Sequence, residues 1–214
     1  MANVAYSAFF PYLIPLVPHV ADPVAEHAIR AACIDFCRRS LAWQTPMEPL
    51  STSKGESAYE LDVPSGAMLA HIVDLYYEGR RLEKTSVSEI AAKVGYDWML
   101  REGTPGAYLR FNPNEITLIP KPDKSVVNVL TGLLAFAPTR GSTSIIDFIF
   151  EDYAEAIIHG AVARLLMIPN QQWTDPKTGV GYLRQFSADC ANARSFVNTG
   201  QVHAPISVHM RRYW

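Results

Sequence analysis

At 214 residues, with 49% hydrophobic and 19% charged side chains, the chain can fold around its own core and needs no disulfide or metal staple. Its 19 basic and 21 acidic residues leave a net charge of -2, which argues against a general nucleic-acid binder, a class marked by a strong basic excess. Three cysteines are an odd number, and Cys33 and Cys37 lie one helical turn apart, so reduced thiols in a cytosolic setting are expected rather than a disulfide framework.

Met1 to Ala21 carries no Lys, Arg, Asp or Glu, and its run FFPYLIPLVP is apolar enough to suggest a membrane segment. It lacks the basic start of a signal peptide, and Pro11, Pro15 and Pro18 would break a spanning helix. The stretch reads as an extended arm lying on a protein surface, its own or a neighbour's, and no membrane partner is expected.

From Asp22 to Gln44 the pattern predicts a helix. Asp22 suits a cap, Pro23 the first helical position, and Ile29, Cys33, Phe36 and Cys37 form one apolar stripe. Glu26 with Arg30, and Asp35 with Arg39, stand in the favourable i,i+4 order for ion pairs. Residues 45–57, rich in Pro, Ser and Thr, read as a loop. Strands are expected at residues 59–63 and 68–77, the second followed by a Glu78-Gly79 hairpin turn. Ser86 and Glu89 form a capping box for a short helix that Gly95 closes. Residues 107–111 and 116–119 flank a four-residue connection, and 126–137 reads as a strand, although residues 130–135 alone would also suit a helix.

Helix returns at Ser144, with Ser144 or Asp147 as cap and Glu151, Asp152 and Glu155 crowding its first half. Asp175 and Pro176 open a last helix whose seam is Leu183, Phe186, Cys190, Ala193 and Val197, and Gly200 stops it. The fold class is therefore α+β: a helical bundle of one N-terminal and two C-terminal helices, interrupted by a central, mostly antiparallel β insertion, with extended arms at both ends. The boundaries read as 1–44 and 140–201 for the bundle and its N-terminal arm, 45–139 for the insertion and 202–214 for the C-terminal arm. That last arm holds Arg211, Arg212, Tyr213 and Trp214, the residue types that dominate binding hot spots. Two readings stand for it: folding back on its own subunit, or docking on a partner.

Catalytic signatures are missing. Cys33 and Cys37 lack the second pair that zinc requires, and Glu155 with His159 lacks the repeated Glu-x-x-His of a di-iron bundle. Gly179-Val-Gly181 at a helix start follows no strand and lacks the third glycine of a nucleotide fingerprint. There is no nucleophile elbow, Walker A loop or kinase signature, and His27 and His71 have no evident triad partners. No cofactor, metal or catalytic residue is assigned, and an enzyme is the distant alternative, since triads assemble from residues far apart in sequence.

The segment PYLIPLVPHVADPVAEHAIRAACIDFCRRSLAWQ, with its Pro-rich lead, its Asp-Pro helix start and the pattern A-A-x-I-D-F-C-x-R-S-x-x-W, resembles the N-terminal signature of bacteriophage head–tail adaptor (connector or neck) proteins. YELDVPSGAMLAHIVDLYYEGRRL is similar to the first β segment of that family. The resemblance covers the N-terminal third by motif and the remainder by layout. It implies a non-enzymatic virion protein of the neck or tail, assembled in the host cytoplasm, that forms a homo-oligomeric ring of about twelve copies beneath the portal protein. It implies tail proteins as further partners, and DNA passing through the channel without specific binding. On this reading Met210, Arg211, Arg212, Tyr213 and Trp214 anchor the ring on the portal. Glu151, Asp152 and Glu155 line the channel or face outward. A tail-completion or tail-tube protein is the near alternative.

Overall fold

The computed structural model describes residues 2–200. The chain folds as two compact units, one from the stretches up to Ala42 and from Ser144 onward, the other over Trp43–Thr143. Helices and mostly antiparallel sheets together make the fold α+β.

The first unit begins with β1 (Asn3–Ala5), a 3-10 turn over Tyr6–Phe9 and the short α1 (Phe10–Leu13). The arm is thus coiled rather than extended beyond Ala5. Tyr6, Phe9, Leu13 and Val17 recur at helical spacing and are fully buried in their own unit, which is why the prolines punctuate a packed segment and not a free one. In α2 (Asp22–Ser40) the cap is the backbone of Ala21; Asp22 occupies the first turn, where its charge favours the helix dipole without a side-chain capping bond. Leu41 ends the helix in the left-handed conformation (φ 52°), donating to the Cys37 carbonyl at 3.0 Å. Ile29, Cys33, Phe36 and Cys37 are all 0% exposed, as the apolar stripe requires. Glu26 and Arg30 pair at 2.6 Å. Asp35 does not take Arg39; it meets Arg164, 129 residues away, at 2.8 Å.

The second unit carries β2 (Gln44–Pro46), β3 (Leu50–Thr52), β4 (Ala58–Glu60), β5 (Ala67–Tyr77), β6 (Arg80–Arg81), β7 (Glu83–Lys84), α3 (Val87–Val94), β8 (Glu102–Gly103), β9 (Ala107–Leu109), β10 (Glu115–Ile119), β11 (Lys121–Pro122) and β12 (Val126–Pro138). One sheet runs β2-β12-β5-β6, with β3 also on β12; another runs β4-β10-β9-β7. The loop expected over 45–57 holds most of β2 and all of β3, because an edge strand tolerates a proline such as Pro46 that would remove a ladder bond from a central one. Glu78 and Gly79, both at positive φ (49° and 74°), make the tight turn between β5 and β6. The capping box is present in full: Ser86 Oγ accepts from Glu89 N, and Ser86 N donates to the Glu89 carboxylate. Leu130, Leu134, Ala135, Phe136 and Ala137 of β12 are buried, and residues 130–135, which alone would suit a helix, are strand throughout. Register shifts between Leu133 and Leu134, and between Ala135 and Phe136, break its strict alternation against β5.

The chain returns to the first unit through β13 (Ser144–Ile146), which pairs antiparallel with β1, Ala5 opposite Ser144. Ser144 is therefore a strand residue and not a cap: two β-branched neighbours favour extension, and β1 supplies the ladder. In α4 (Asp147–Leu166) Ile146 is the cap position, without a side-chain bond, and Asp147 accepts from Phe148 N at 2.8 Å. The helix is interrupted at Tyr153 (φ -133°). In α5 (Pro176–Asn198) Asp175 caps as the sequence indicates, accepting from Thr178 N at 3.2 Å. Helices α2, α4 and α5 pack on one another. Phe186, Cys190, Ala193 and Val197 of the seam are buried, whereas Leu183 is 41% exposed.

The Asp175 cap yields a pH prediction. Its hydrogen bonds to Thr178 hold the carboxyl below its ordinary range, so the ionised form is favoured by folding. The contribution is present above the unfolded-state value of about 4 and fades as pH falls through the folded-state value. Asp175→Ala should lower the melting temperature at neutral pH, and the gap from the native chain should narrow in acid; equal gaps at both would contradict the cap's role.

Candidate functional site

Within the first unit, the arm, α4 and α5 enclose a cleft of about 680 Å³. The arm contributes Tyr12 and Leu16, which are 56% and 44% exposed, and α5 contributes Tyr182. Phe150 and Ile158 of α4 form its apolar surface. Phe150 is fixed by a perpendicular stack on Phe9 at 4.8 Å between ring centres and by Tyr12 at 6.4 Å.

The rim is acidic. Glu151, Asp152 and Glu155 line this cleft, and all three are exposed. Among the described residues none of them has an ion-pair partner. The three carboxylates singled out from sequence are thus brought together, and beside them lie aromatic residues that sequence reading did not connect to them. Tyr12, Phe150 and Tyr182 come from three separate elements, so no local spacing betrays them.

His159 also lines the cleft, and its partner is not Glu155. Its Nδ1–H donates to Asp189 Oδ2 at 2.7 Å, Gln185 donates to the other oxygen at 3.1 Å, and Tyr182 lies 5.8 Å from the imidazole ring. The His159–Asp189 pair ties α4 to α5. No serine, threonine or cysteine is among the residues lining this cleft or the smaller one beside Asp189.

Cys33, Cys37 and Cys190 are free and buried. Burial raises all three thiols, Cys190 to about 11, so they stay protonated and pack as small apolar groups. Among the described residues no group of three or more His, Cys, Asp or Glu side chains could hold a metal ion, and no helix is long and apolar enough to cross a membrane. Gly179 is buried where a methyl group would lie 3.2 Å from Leu166 Cβ, so it serves the close approach of α5 to the end of α4. Met210, Arg211, Arg212, Tyr213 and Trp214 lie outside the described residues.

The second unit presents its own exposed apolar group: Tyr96 at 96% exposure, Leu100 at 78%, Met99 and Phe111. Met99 and Phe111 line one shallow depression of about 270 Å³. Exposed apolar side chains that share a depression, as Met99 and Phe111 do, mark contact surfaces. The chain matches no known protein family and no curated protein.

Proposed function

We propose that the protein is a structural head–tail adaptor of a bacteriophage, a ring-forming component of the neck that binds the portal, extends the DNA channel and receives tail proteins. The observation that carries this reading is the chain path. One long helix leads into a β-rich excursion of about a hundred residues, and two helices then return to complete the unit the first began. That order is what the resemblance of the N-terminal third implies for the whole chain.

Two surface features support it. The exposed apolar group around Tyr96 and Leu100 suits a broad contact between neighbouring copies or with a tail protein. The acidic face of α4 suits a surface past which DNA slides, since phosphate is held by cationic groups and repelled by carboxylates. In this role the protein resides in the virion neck and assembles in the host cytoplasm, and Met210–Trp214 serve as the portal anchor.

The test is the mass of the purified protein alone and after mixing with the portal of the same phage. A stable complex with one copy per portal subunit is expected, and deleting residues 203–214 should abolish it while the far-ultraviolet circular dichroism of the helices persists. Binding to tail proteins with none to portal would transfer the assignment to a tail-completion or tail-tube role.

A further inference from the structure

We propose that the cleft between the N-terminal arm, α4 and α5 is the seat of this chain's own Arg211-Arg212-Tyr213-Trp214, so that each subunit closes its own groove.

The chemistry of the two parts is complementary. The cleft offers Phe150, Ile158, Tyr12 and Tyr182 as apolar walls, and a volume within the range of roughly 300–1,000 Å³ that encloses ligands of a few rings. The segment brings two large aromatic side chains. Along the rim stand Glu151, Asp152 and Glu155, three carboxylates without an ion-pair partner among the described residues. The segment brings two adjacent guanidiniums, the donors best shaped to grip carboxylates in pairs of hydrogen bonds.

The reach is sufficient. Tyr182 lies sixteen residues before Asn198 on α5, which is about 24 Å along the helix. From Asn198 to Arg211 is thirteen residues, able to span up to about 43 Å. Gly200, at φ 75°, turns the chain out of the helical path where α5 ends, with its N–H bonded back to the Val197 carbonyl at 3.0 Å. A return along α5 to the cleft therefore leaves slack.

Self-closure is a property of the isolated subunit and does not rest on the adaptor reading. Where that reading holds as well, the same four residues serve two seats in turn, and the portal must draw them out of the cleft.

The full-length chain labelled with 5-fluorotryptophan tests this directly. Its four tryptophans give four fluorine resonances, and Trp214→Phe assigns the one of interest. The Trp214 resonance should stand apart from that of a free peptide ending in the same residues, and should hold its position over a hundredfold dilution. Glu151→Arg, Asp152→Arg and Glu155→Arg together should return it to the free position. Arg211→Glu with Arg212→Glu should do the same in the native cleft. The other three resonances report that the fold is kept. A free position in the native chain, or a displaced one that survives either charge reversal, overturns the proposal. A displaced position lost on dilution, with a falling sedimentation mass, also overturns it and assigns the cleft to a second copy. None of these readings uses portal, so they stand apart from the test of adaptor function.

Discussion

Phe186→Ala should cost about 3–5 kcal/mol, measured as the shift in urea denaturation followed by circular dichroism. The ring is 0% exposed on α5 and packs where α4 has no side chain: a methyl group at Gly160 would lie 2.8 Å from its Cδ2 and Cε2 atoms. Its faces are also occupied, with the guanidiniums of Arg39 at 5.3 Å and Arg164 at 5.5 Å from the ring centre. Removing the ring therefore empties a cavity and takes the aromatic face from both guanidiniums, of which Arg164 keeps Asp35 and the Gly160 carbonyl. Gly160→Ala should cost about 1–3 kcal/mol by overpacking the same spot. Because each change acts on the other's space, the double variant should be more stable than the sum of the two losses predicts. Strict additivity would show that Gly160 and Phe186 are not the paired surfaces described.

Gly132→Val should be nearly as damaging to the second unit. Gly132 lies opposite Leu75 in the β12–β5 ladder, and a methyl group there would be 2.6 Å from the Asp74 carbonyl oxygen. A side chain could turn aside, but this obstacle is backbone, and Leu75 Cδ1 at 3.0 Å and Met47 Sδ at 3.1 Å close the other directions. Relief requires the two longest strands to separate, at a cost of at least about 1–3 kcal/mol. Faster amide exchange across β5 and β12, with a lowered melting temperature, is the expected signature. An unchanged exchange pattern would mean that the strands are farther apart than described.

What sequence shows well here is chemistry that completes itself within a few residues. The Asp175-Pro176 start, the Ser86–Glu89 box and the Glu78-Gly79 turn each need only neighbours, and each forms as expected. Where the decisive partner is remote, local rules choose wrongly. Asp35 has a well-placed Arg39 but takes Arg164, because packing α2 on α4 brings that guanidinium to it. Ser144 has the composition of a cap but joins β1, a strand contributed by the far end of the sequence. Edge strands β2 and β3 lack the β-branched density that marks a central strand, so they read as loop. The acidic half of the cleft could be seen as a cluster on one helix; its aromatic half, drawn from three elements, could not.

The first unit is built from two separated stretches of chain, and this shapes its synthesis. Its opening helix α2 must wait for roughly a hundred further residues before α4 exists, an interval of about 5–20 s at ordinary rates of translation. Throughout that time Ile29, Cys33, Phe36 and Cys37 lack the helices that finally cover them. The arm is already made. Its Tyr6, held under Arg30 at 5.7 Å in the finished fold, belongs to a segment that emerges before α2 and packs against it. The proline-punctuated arm is thus the first surface that α2 can meet, well before the last two helices leave the ribosome.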